Sequence, residues 1–154
     1  LREIFQKKRL NKNLIFHYFA KSKKNVFRGF HFQTKYQQEK LVTVLEGSII
    51  DISIDLRKNS KTFGKIFKTI LSEKNSKSIF IPPGFAHGYV VISGEADVLY
   101  AQTAPFDPAC DRVVRWNDPA LQIDWPVMTE PFRISEKDQR APLLSEIPET
   151  ALFD

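Results

Sequence analysis

An alternation of apolar and polar side chains runs through the middle of the chain and predicts β-strands. It is clearest from Ser48 to Leu56, where one face of an extended segment carries Ile50, Ile52, Ile54 and Leu56. Other short stretches rich in β-branched and aromatic residues predict strands at Val26–Gln33, Lys40–Glu46, Ile66–Leu71, Ser78–Ile81, Gly88–Ile92, Asp97–Thr103 and Arg112–Trp116.

Residues that favour turns separate these segments. They stand at Gly47, Asn59-Ser60, Asn75-Ser76, Pro82-Pro83-Gly84, Ser93-Gly94 and Pro105 to Pro108. The best helix candidate starts at Ser135, with a sequence that resembles a capping box, and ends before Pro142 after about two turns. Many short strands without amphipathic helices between them predict an all-β fold, an antiparallel barrel or double-sheet jelly roll with short C-terminal helical segments.

The composition is typical of one globular domain, which we expect to span residues 1–154. Hydrophobic residues make up 42% of the 154, and no apolar run approaches membrane-spanning length. At this size roughly two thirds of the unfolded surface can be buried, so a core forms without disulfides or metals. Cys110 is the single cysteine and no signal-peptide pattern is present, which predicts a cytoplasmic protein.

Positive charge is concentrated in the first part of the chain. Residues 1–89 carry a formal charge of +12 and residues 90–154 carry −7, within a total of +5. No helix-turn-helix, zinc-finger or basic-zipper pattern accompanies the lysines, so we expect a solvated lysine-rich face and no nucleic-acid partner. Clustered cations also suit a smaller anion, such as a diphosphate held in a cleft.

Two of the three histidines stand in suggestive surroundings. His87 ends the segment Pro82–His87, a Pro-x-Gly-x-x-His pattern that forms half of the metal-binding pattern of cupin barrels. The other half would be a His-x-His pair followed by Glu, but the segment His31–Gln33 has a single imidazole. Because a transition-metal site needs three or four converging ligands, we expect no bound metal. His17 has no motif around it.

Without a metal, a histidine in the mouth of a barrel can act as a general base. The unperturbed pKa of imidazole, near ~6.5, suits proton abstraction around neutral pH. Such a base needs a carboxylate that accepts a hydrogen bond from its other ring nitrogen, fixes the tautomer and stabilises the imidazolium. Composition does not single out that carboxylate among the 18 acidic residues.

Seven motifs between residues 21 and 145 carry a family resemblance: Arg28–Gln33, Lys40–Val42, Asp55–Arg57, Thr62–Gly64, Ile81–Gly88, Trp116–Pro119 and Ile123–Pro126. In order and spacing they resemble the dTDP-4-dehydrorhamnose 3,5-epimerase family. That resemblance implies a cupin-like jelly roll that works as a homodimer without a cofactor. It also implies inversion of the carbons flanking the C4 ketone of a dTDP-linked 4-keto-6-deoxyhexose, in the pathway to dTDP-L-rhamnose.

The resemblance further implies roles for individual residues. His31 matches the catalytic base, Asp138 the carboxylate paired with it, and Tyr100 the acid that returns a proton on the opposite face. Lys40 matches a lysine that faces the enolate oxygen. These types are needed because a proton next to a ketone is weakly acidic, so its removal requires a base and a group that holds the enolate oxygen. Contacts to the diphosphate or the sugar hydroxyls fall to Arg28, His87 and Lys137.

Each role has a purely structural alternative. His31 could be a hydrogen-bonded barrel histidine and Tyr100 a half-buried strand tyrosine, while the carboxyl group of Asp138 could close a capping box. Lysines such as Lys40 and Lys137 are most often solvated. Strict alternation also puts Arg28 and His31 on opposite faces of their strand, so both line one site only if a bulge lies at Gly29.

The chain departs from the family pattern in several places. The family carries a longer amino-terminal region and a strand reading Gln-Asp-Asn-His-Ser that helps to form the thymidine pocket, where this chain has Phe16–Ala20. Two consecutive tyrosines of the family are replaced by Pro105-Phe106. These differences leave open whether thymidine is the nucleotide and whether both carbons are inverted. The alternatives are a single-carbon epimerase and a sugar-nucleotide-binding barrel that catalyses nothing.

Overall fold

The structure, a computed structural model, describes residues 3, 4, 10–127 and 130–154. Across these residues the strands are β1 (Phe16–Lys23), β2 (Phe27–Gln33), β3 (Lys40–Asp55), β4 (Ile66–Ser72), β5 (Ser78–Ile81), β6 (Phe85–Gln102) and β7 (Asp111–Val113). A one-turn helix, α1, spans Glu136–Gln139. Short 3₁₀ turns occur at Pro119–Leu121, Leu144–Glu146 and Glu149–Ala151.

Strands β3 and β6 each join two predicted strands, because the chain passes through two predicted turns without reversing. Gly47 lies within β3 and Ser93-Gly94 within β6, and the pairing between the two strands shifts register at Gly47. Gly47 has a φ of +77°, and the Ser93 hydroxyl accepts a hydrogen bond from the Ser48 amide at 2.8 Å. The turn prediction was wrong at both places. At Gly47 the positive φ serves a β-bulge within the strand and not a turn.

These irregularities divide each long strand between two layers. The first layer has the order β1, second half of β6, first half of β3, β5. The second has the order β4, second half of β3, first half of β6, β2, β7. Every pairing between these strands is antiparallel, and the arrangement is the jelly roll that the sequence predicted.

Both faces of the second layer are buried where β3 and β6 pair. The alternating isoleucines of β3 share one face, as predicted, and pack against the segment that follows β7, which contributes Trp116, Trp125, Phe132 and Phe153. The opposite face meets the first layer in a second apolar cluster that includes Val42, Ile49, Tyr89, Val91 and Val98. The buried residues of this inner face also include the polar side chains of Asp51 and Ser53, which alternate with the isoleucines along β3.

The ends of several elements differ from the predicted ones. Strand β1 was not predicted, because Phe16–Lys23 lacks a clean alternation and pairs with β6 alone. Strand β7 has three residues, fewer than the five predicted at Arg112–Trp116. Helix α1 has one turn where about two were expected. The chain leaves the helix early, and the Pro142 carbonyl accepts a hydrogen bond from the Arg115 amide at 2.8 Å.

Within the described ranges, no helix is long and apolar enough to cross a membrane.

Candidate active site

A cavity of about 570 Å³ opens between the two layers. Its volume falls within the range of pockets that bind small molecules. The structure brings all the predicted site residues to its wall, namely Arg28, His31, Lys40, His87, Tyr100, Lys137 and Asp138.

A bulge in β2 places Arg28 and His31 on the same face. Arg28 pairs with Tyr89 and His31 with His87, so β2 has one residue more than β6 between these pairs. Gly29 lies in the bulge with a φ of +135°, and a Cβ there would be 2.5 Å from the Gly88 Cα. The predicted bulge is confirmed, and the close approach of the two backbones requires glycine at position 29.

Two buried carboxylates flank the His31 imidazole. Its Nδ1 lies 3.2 and 3.3 Å from the Asp111 carboxylate oxygens, in hydrogen-bond geometry. Its Nε2 lies 3.1 Å from Asp138 Oδ1, within ion-pair distance but outside hydrogen-bond alignment. The His31 side chain remains 32% exposed, compared with 3% and 6% for the Asp111 and Asp138 side chains. The predicted base therefore meets the predicted carboxylate and stays open to the cavity.

Asp138 takes part in the start of α1 through its backbone, while its carboxyl group does not close a capping box. Its backbone amide donates a hydrogen bond to the Ser135 hydroxyl at 3.1 Å, which caps the start of α1. Its carboxylate accepts a hydrogen bond from the Gly29 amide at 3.4 Å and faces His31. The cap therefore fixes the residue whose side chain approaches the imidazole.

Asp111 is the site residue that sequence reasoning missed. It is the first residue of β7, which pairs with β2 so that Gln33 faces Asp111 and His31 faces Val113. Residues diagonal to each other on adjacent strands are within reach of long side chains, which explains its contact with His31. The Lys137 ammonium also contacts Asp111. The available signal was the Asp111 carboxylate just before the predicted strand, but only the β2–β7 register reveals its position.

The carboxylates change the acidity of the imidazole. Burial lowers the pKa of His31, but the contacts with Asp111 and Asp138 and their negative charges outweigh burial and raise it above its ordinary value. Burial raises the pKa of Asp111, whereas His31 and Lys137 lower it, and the net effect is a lowered pKa. The cavity wall thus favours a protonated imidazole beside ionised Asp111.

Lys40 is a buried cation on the first layer. It is 7% exposed, and burial lowers its pKa to about 8 against the charges of Asp111 and Asp51, which raise it. Lys40 pairs with Gln102 in register, two residues from the pair of Val42 with Tyr100. Strand alternation therefore puts Lys40 and Tyr100 on one face, side by side along the cavity.

Tyr100 and His87 both line the cavity, and their rings are in contact. Their ring centroids are 5.8 Å apart in an edge-to-face arrangement. Burial raises the pKa of Tyr100 well above its ordinary value, so the phenol keeps its proton. His87 Nε2 lies 2.8 Å from Asp51 Oδ2, and both residues are buried. This contact fixes the His87 ring and leaves its other nitrogen for a ligand.

Arg28 lies at the exposed side of the site. Its Nε donates a hydrogen bond to the Ser22 hydroxyl at 3.0 Å.

In the described part of the chain, no three His, Cys, Asp or Glu side chains are grouped so as to hold a metal ion. Among the charged side chains that the structure describes, those that line the cavity are two carboxylates and several lysines and arginines.

Comparisons with known proteins identify the family. The family model described as dTDP-4-dehydrorhamnose 3,5-epimerase matches residues 2–146. The chain belongs to the dTDP-4-dehydrorhamnose 3,5-epimerase family. The predicted family and the predicted enzyme class, an isomerase, are confirmed.

The epimerase-family relatives are similar over most of the chain. The dTDP-4-dehydrorhamnose 3,5-epimerase of Methanothermobacter thermautotrophicus is 42% identical over 146 residues, which are 94% of this chain and 79% of the relative. The enzyme of the same description from Escherichia coli is 42% identical over 129 residues, 83% of this chain and 69% of the relative. The solved dTDP-6-deoxy-D-glucose-3,5-epimerase of Legionella pneumophila superposes with a TM-score of 0.95 at 39% identity, covering 98% of this chain and 83% of that one. These similarities also confirm the predicted jelly-roll fold.

Proposed function

We propose that the protein is a cofactor-independent epimerase that inverts C3 and C5 of dTDP-4-dehydro-6-deoxy-D-glucose to give dTDP-4-dehydro-L-rhamnose. The observation that carries this proposal is the His31 imidazole between Asp111 and Asp138, in a cavity also lined by Tyr100 and Lys40. Proton removal and return beside a ketone require a base, an acid and a group that stabilises the enolate. The site supplies one of each.

His31 acts as the base. In its neutral form the imidazole takes the proton from a carbon next to the C4 ketone, and the C–H electron pair moves into an enolate. The raised pKa makes the imidazole a stronger base, and Asp138 and Asp111 stabilise the imidazolium that forms. C3 and C5 flank the same carbonyl, so one base serves both carbons.

Lys40 holds the enolate oxygen. A buried cation acts strongly on a developing negative charge, because little water lies between them. With a pKa of about 8, the Lys40 ammonium is mostly charged at neutral pH. His87 contacts the sugar through the ring nitrogen that Asp51 does not engage.

Tyr100 returns the proton on the opposite face. Inversion requires deprotonation from one face and reprotonation from the other, which a lone base achieves only if the intermediate turns over. The raised pKa of Tyr100 keeps its proton available at neutral pH. The tyrosinate then recovers a proton from solvent, and the His31 imidazolium loses one, which restores the starting state.

Two further cations suit the nucleotide diphosphate. Arg28 and Lys137 line the same cavity as the base, and a guanidinium or an ammonium binds phosphate oxygens by charge-assisted hydrogen bonds. The solved Legionella pneumophila relative is in complex with dTDP-4-keto-L-rhamnose, which supports a dTDP-sugar as the substrate here.

We further propose that the protein works as a cytoplasmic homodimer. The outer side of the first layer exposes apolar side chains, with Phe19 66%, Ile15 59% and Leu45 43% exposed, and a second copy would cover them. Cys110 is free, which suits a reducing compartment. Light scattering during size-exclusion chromatography tests the dimer, and a monomer at micromolar concentration would contradict it.

Incubation with dTDP-4-dehydro-6-deoxy-D-glucose in D₂O, followed by NMR, tests the reaction. We expect deuterium at both C3 and C5 and a product with the L-rhamno configuration. Label at one carbon indicates a single-carbon epimerase, and label at neither indicates a binding barrel or an enzyme of another substrate. Either result contradicts the proposal. Elemental analysis tests cofactor independence, which stoichiometric zinc, iron or manganese would contradict.

A further inference from the structure

Tyr100 is oriented by aromatic contacts. Among the described residues, its hydroxyl group has no hydrogen-bond partner, although its side chain is only 6% exposed. In the described part of the chain three other rings lie near the Tyr100 ring: Tyr18 at 4.8 Å, His87 at 5.8 Å and Tyr89 at 6.5 Å between centroids. The direction in which the phenol points therefore depends on how these rings pack.

Tyr18 makes the closest of these contacts and the only parallel one. Tyr18 and Tyr100 face each other in the β1–β6 register, and their rings stack with an interplanar angle of 5°. Stacked rings at this separation attract each other beyond simple burial. His87 and Tyr89 approach at 69° and 40°, so neither covers the flat face of the Tyr100 ring in this way.

Tyr18 is itself held in place. The Gln102 side-chain amide donates a hydrogen bond to the Tyr18 hydroxyl at 3.3 Å, and Gln102 is 2% exposed. Phe16 lies against the Tyr18 ring, with centroids 5.6 Å apart. A buried amide and a neighbouring ring thus fix the plane on which Tyr100 stacks.

We propose that Tyr18 is a positioning residue that fixes the Tyr100 ring so that its hydroxyl delivers a proton to the face of the sugar opposite His31. This inference rests on the proposed function. Tyr18 acts through Tyr100, since the stack sets the plane of the phenol while His31 removes protons independently. Loss of the stack therefore separates two events that normally occur together, namely proton exchange and inversion.

The test compares these two events in Y18L, which keeps an apolar side chain but removes the stacked ring. In D₂O, loss of the substrate C–H proton reports on His31, and appearance of the inverted product reports on Tyr100. We expect inversion to fall about tenfold, the size of a lost aromatic contact expressed as a rate, while exchange changes less than about twofold. Exchanged but non-inverted substrate then accumulates.

Y18F and Y36L complete the set. Y18F keeps the ring, so we expect it to restore the wild-type ratio of inversion to exchange. Tyr36 is 69% exposed and does not line the cavity, so Y36L matches the substitution at a distant site and leaves both rates unchanged. An unchanged ratio in Y18L overturns the proposal, whether both rates persist or both fall together. A raised KM at constant kcat overturns it as well, since that indicates a substrate contact.

A second measurement needs no turnover. In NMR spectra of protein with ring-labelled tyrosine, assigned with Y100F, we expect the Tyr100 ring to flip faster in Y18L than in wild type or Y18F. Equal flip rates overturn the proposal. If the wild type shows no proton exchange, the proposed function is contradicted but the role of Tyr18 is not. The ring-flip rate then still tests whether Tyr18 holds the Tyr100 ring.

Discussion

Removal of the Asp111 charge should weaken the base and move its titration to lower pH. His31 must be neutral to accept a proton, so activity falls as the pH drops through its pKa, which the structure raises. In D111N the side chain keeps its shape but loses its charge. The acid limb of kcat/KM should then move down, and the plateau should fall because a weaker base abstracts the proton more slowly.

The size of the shift follows from the contact. Asp111 lies 3.2 Å from His31 Nδ1, and a hydrogen bond to a charged group contributes about 1.5–3 kcal/mol. Solvent reaches 32% of the His31 side chain, and screening by that solvent favours the lower end of this energy range. At a given pH on the acid limb, kcat/KM can be expressed as a fraction of its plateau value. This fraction should be roughly ten times larger for D111N than for the wild type.

Profiles of kcat/KM against pH for three variants check this reasoning. D107N makes the same change at an aspartate that contacts the Ala109 amide and the Cys110 thiol, and it should leave the limb in place. K137M removes the cation beside Asp111, so the carboxylate acts more fully on His31 and the limb should move to higher pH. A limb in D111N that stays at the wild-type position, or moves up, would refute the account of how His31 is tuned.

Three other predictions concern a buried cation, a turn and a bulge. Burial lowers the pKa of Lys40 to about 8, so the side chain loses its charge above that pH and the kcat of the wild type should fall there. In K40R the guanidinium stays charged, and the fall in kcat should move to higher pH. Identical basic limbs in the two pH profiles would argue against a charged Lys40. Burial raises the pKa of Asp55, but hydrogen bonds from Arg57 and neighbouring hydroxyls outweigh burial and hold this pKa well below its ordinary value. The ionised carboxylate therefore stabilises the folded state above pH ~4, and this contribution is lost as the pH falls. D55N should lower the free energy of unfolding by roughly 1–3 kcal/mol at pH 7, and urea titrations should show the difference from wild type shrinking at pH 3. In G29A the new Cβ would lie 2.5 Å from the Gly88 Cα. We therefore expect the free energy of unfolding to fall by roughly 2–4 kcal/mol and kcat to decrease. A stable, fully active G29A variant would contradict the role of the bulge.

Much of the fold was predictable because the strands alternate. The face carrying Ile50, Ile52 and Ile54 was identified from sequence, since period two leaves no other way to bury these residues. Gly47 was misread as a turn because local sequence does not distinguish a bulge from a reversal. That choice depends on whether β3 finds a partner on both sides, which is a property of the whole sheet.

The site was predictable to the extent that its residues lie in recognisable motifs. His31, Asp138 and Tyr100 were found by resemblance, and the bulge at Gly29 by a conflict between that resemblance and strict alternation. Asp111 was not found, because its position beside His31 arises from the pairing of β7 with β2. The stack of Tyr18 on Tyr100 likewise depends on register across two strands.

Proton exchange by a variant without the imidazole tests the central claim most directly. Wild-type protein and H31A, shown by circular dichroism to be equally folded, are incubated with dTDP-4-dehydro-6-deoxy-D-glucose in D₂O, and loss of the C3 and C5 protons is followed by NMR. A positioned general base contributes about 10²–10⁴-fold, so exchange in H31A should be slower by that factor. Exchange at the wild-type rate in folded H31A would show that another group removes the proton and would contradict the account.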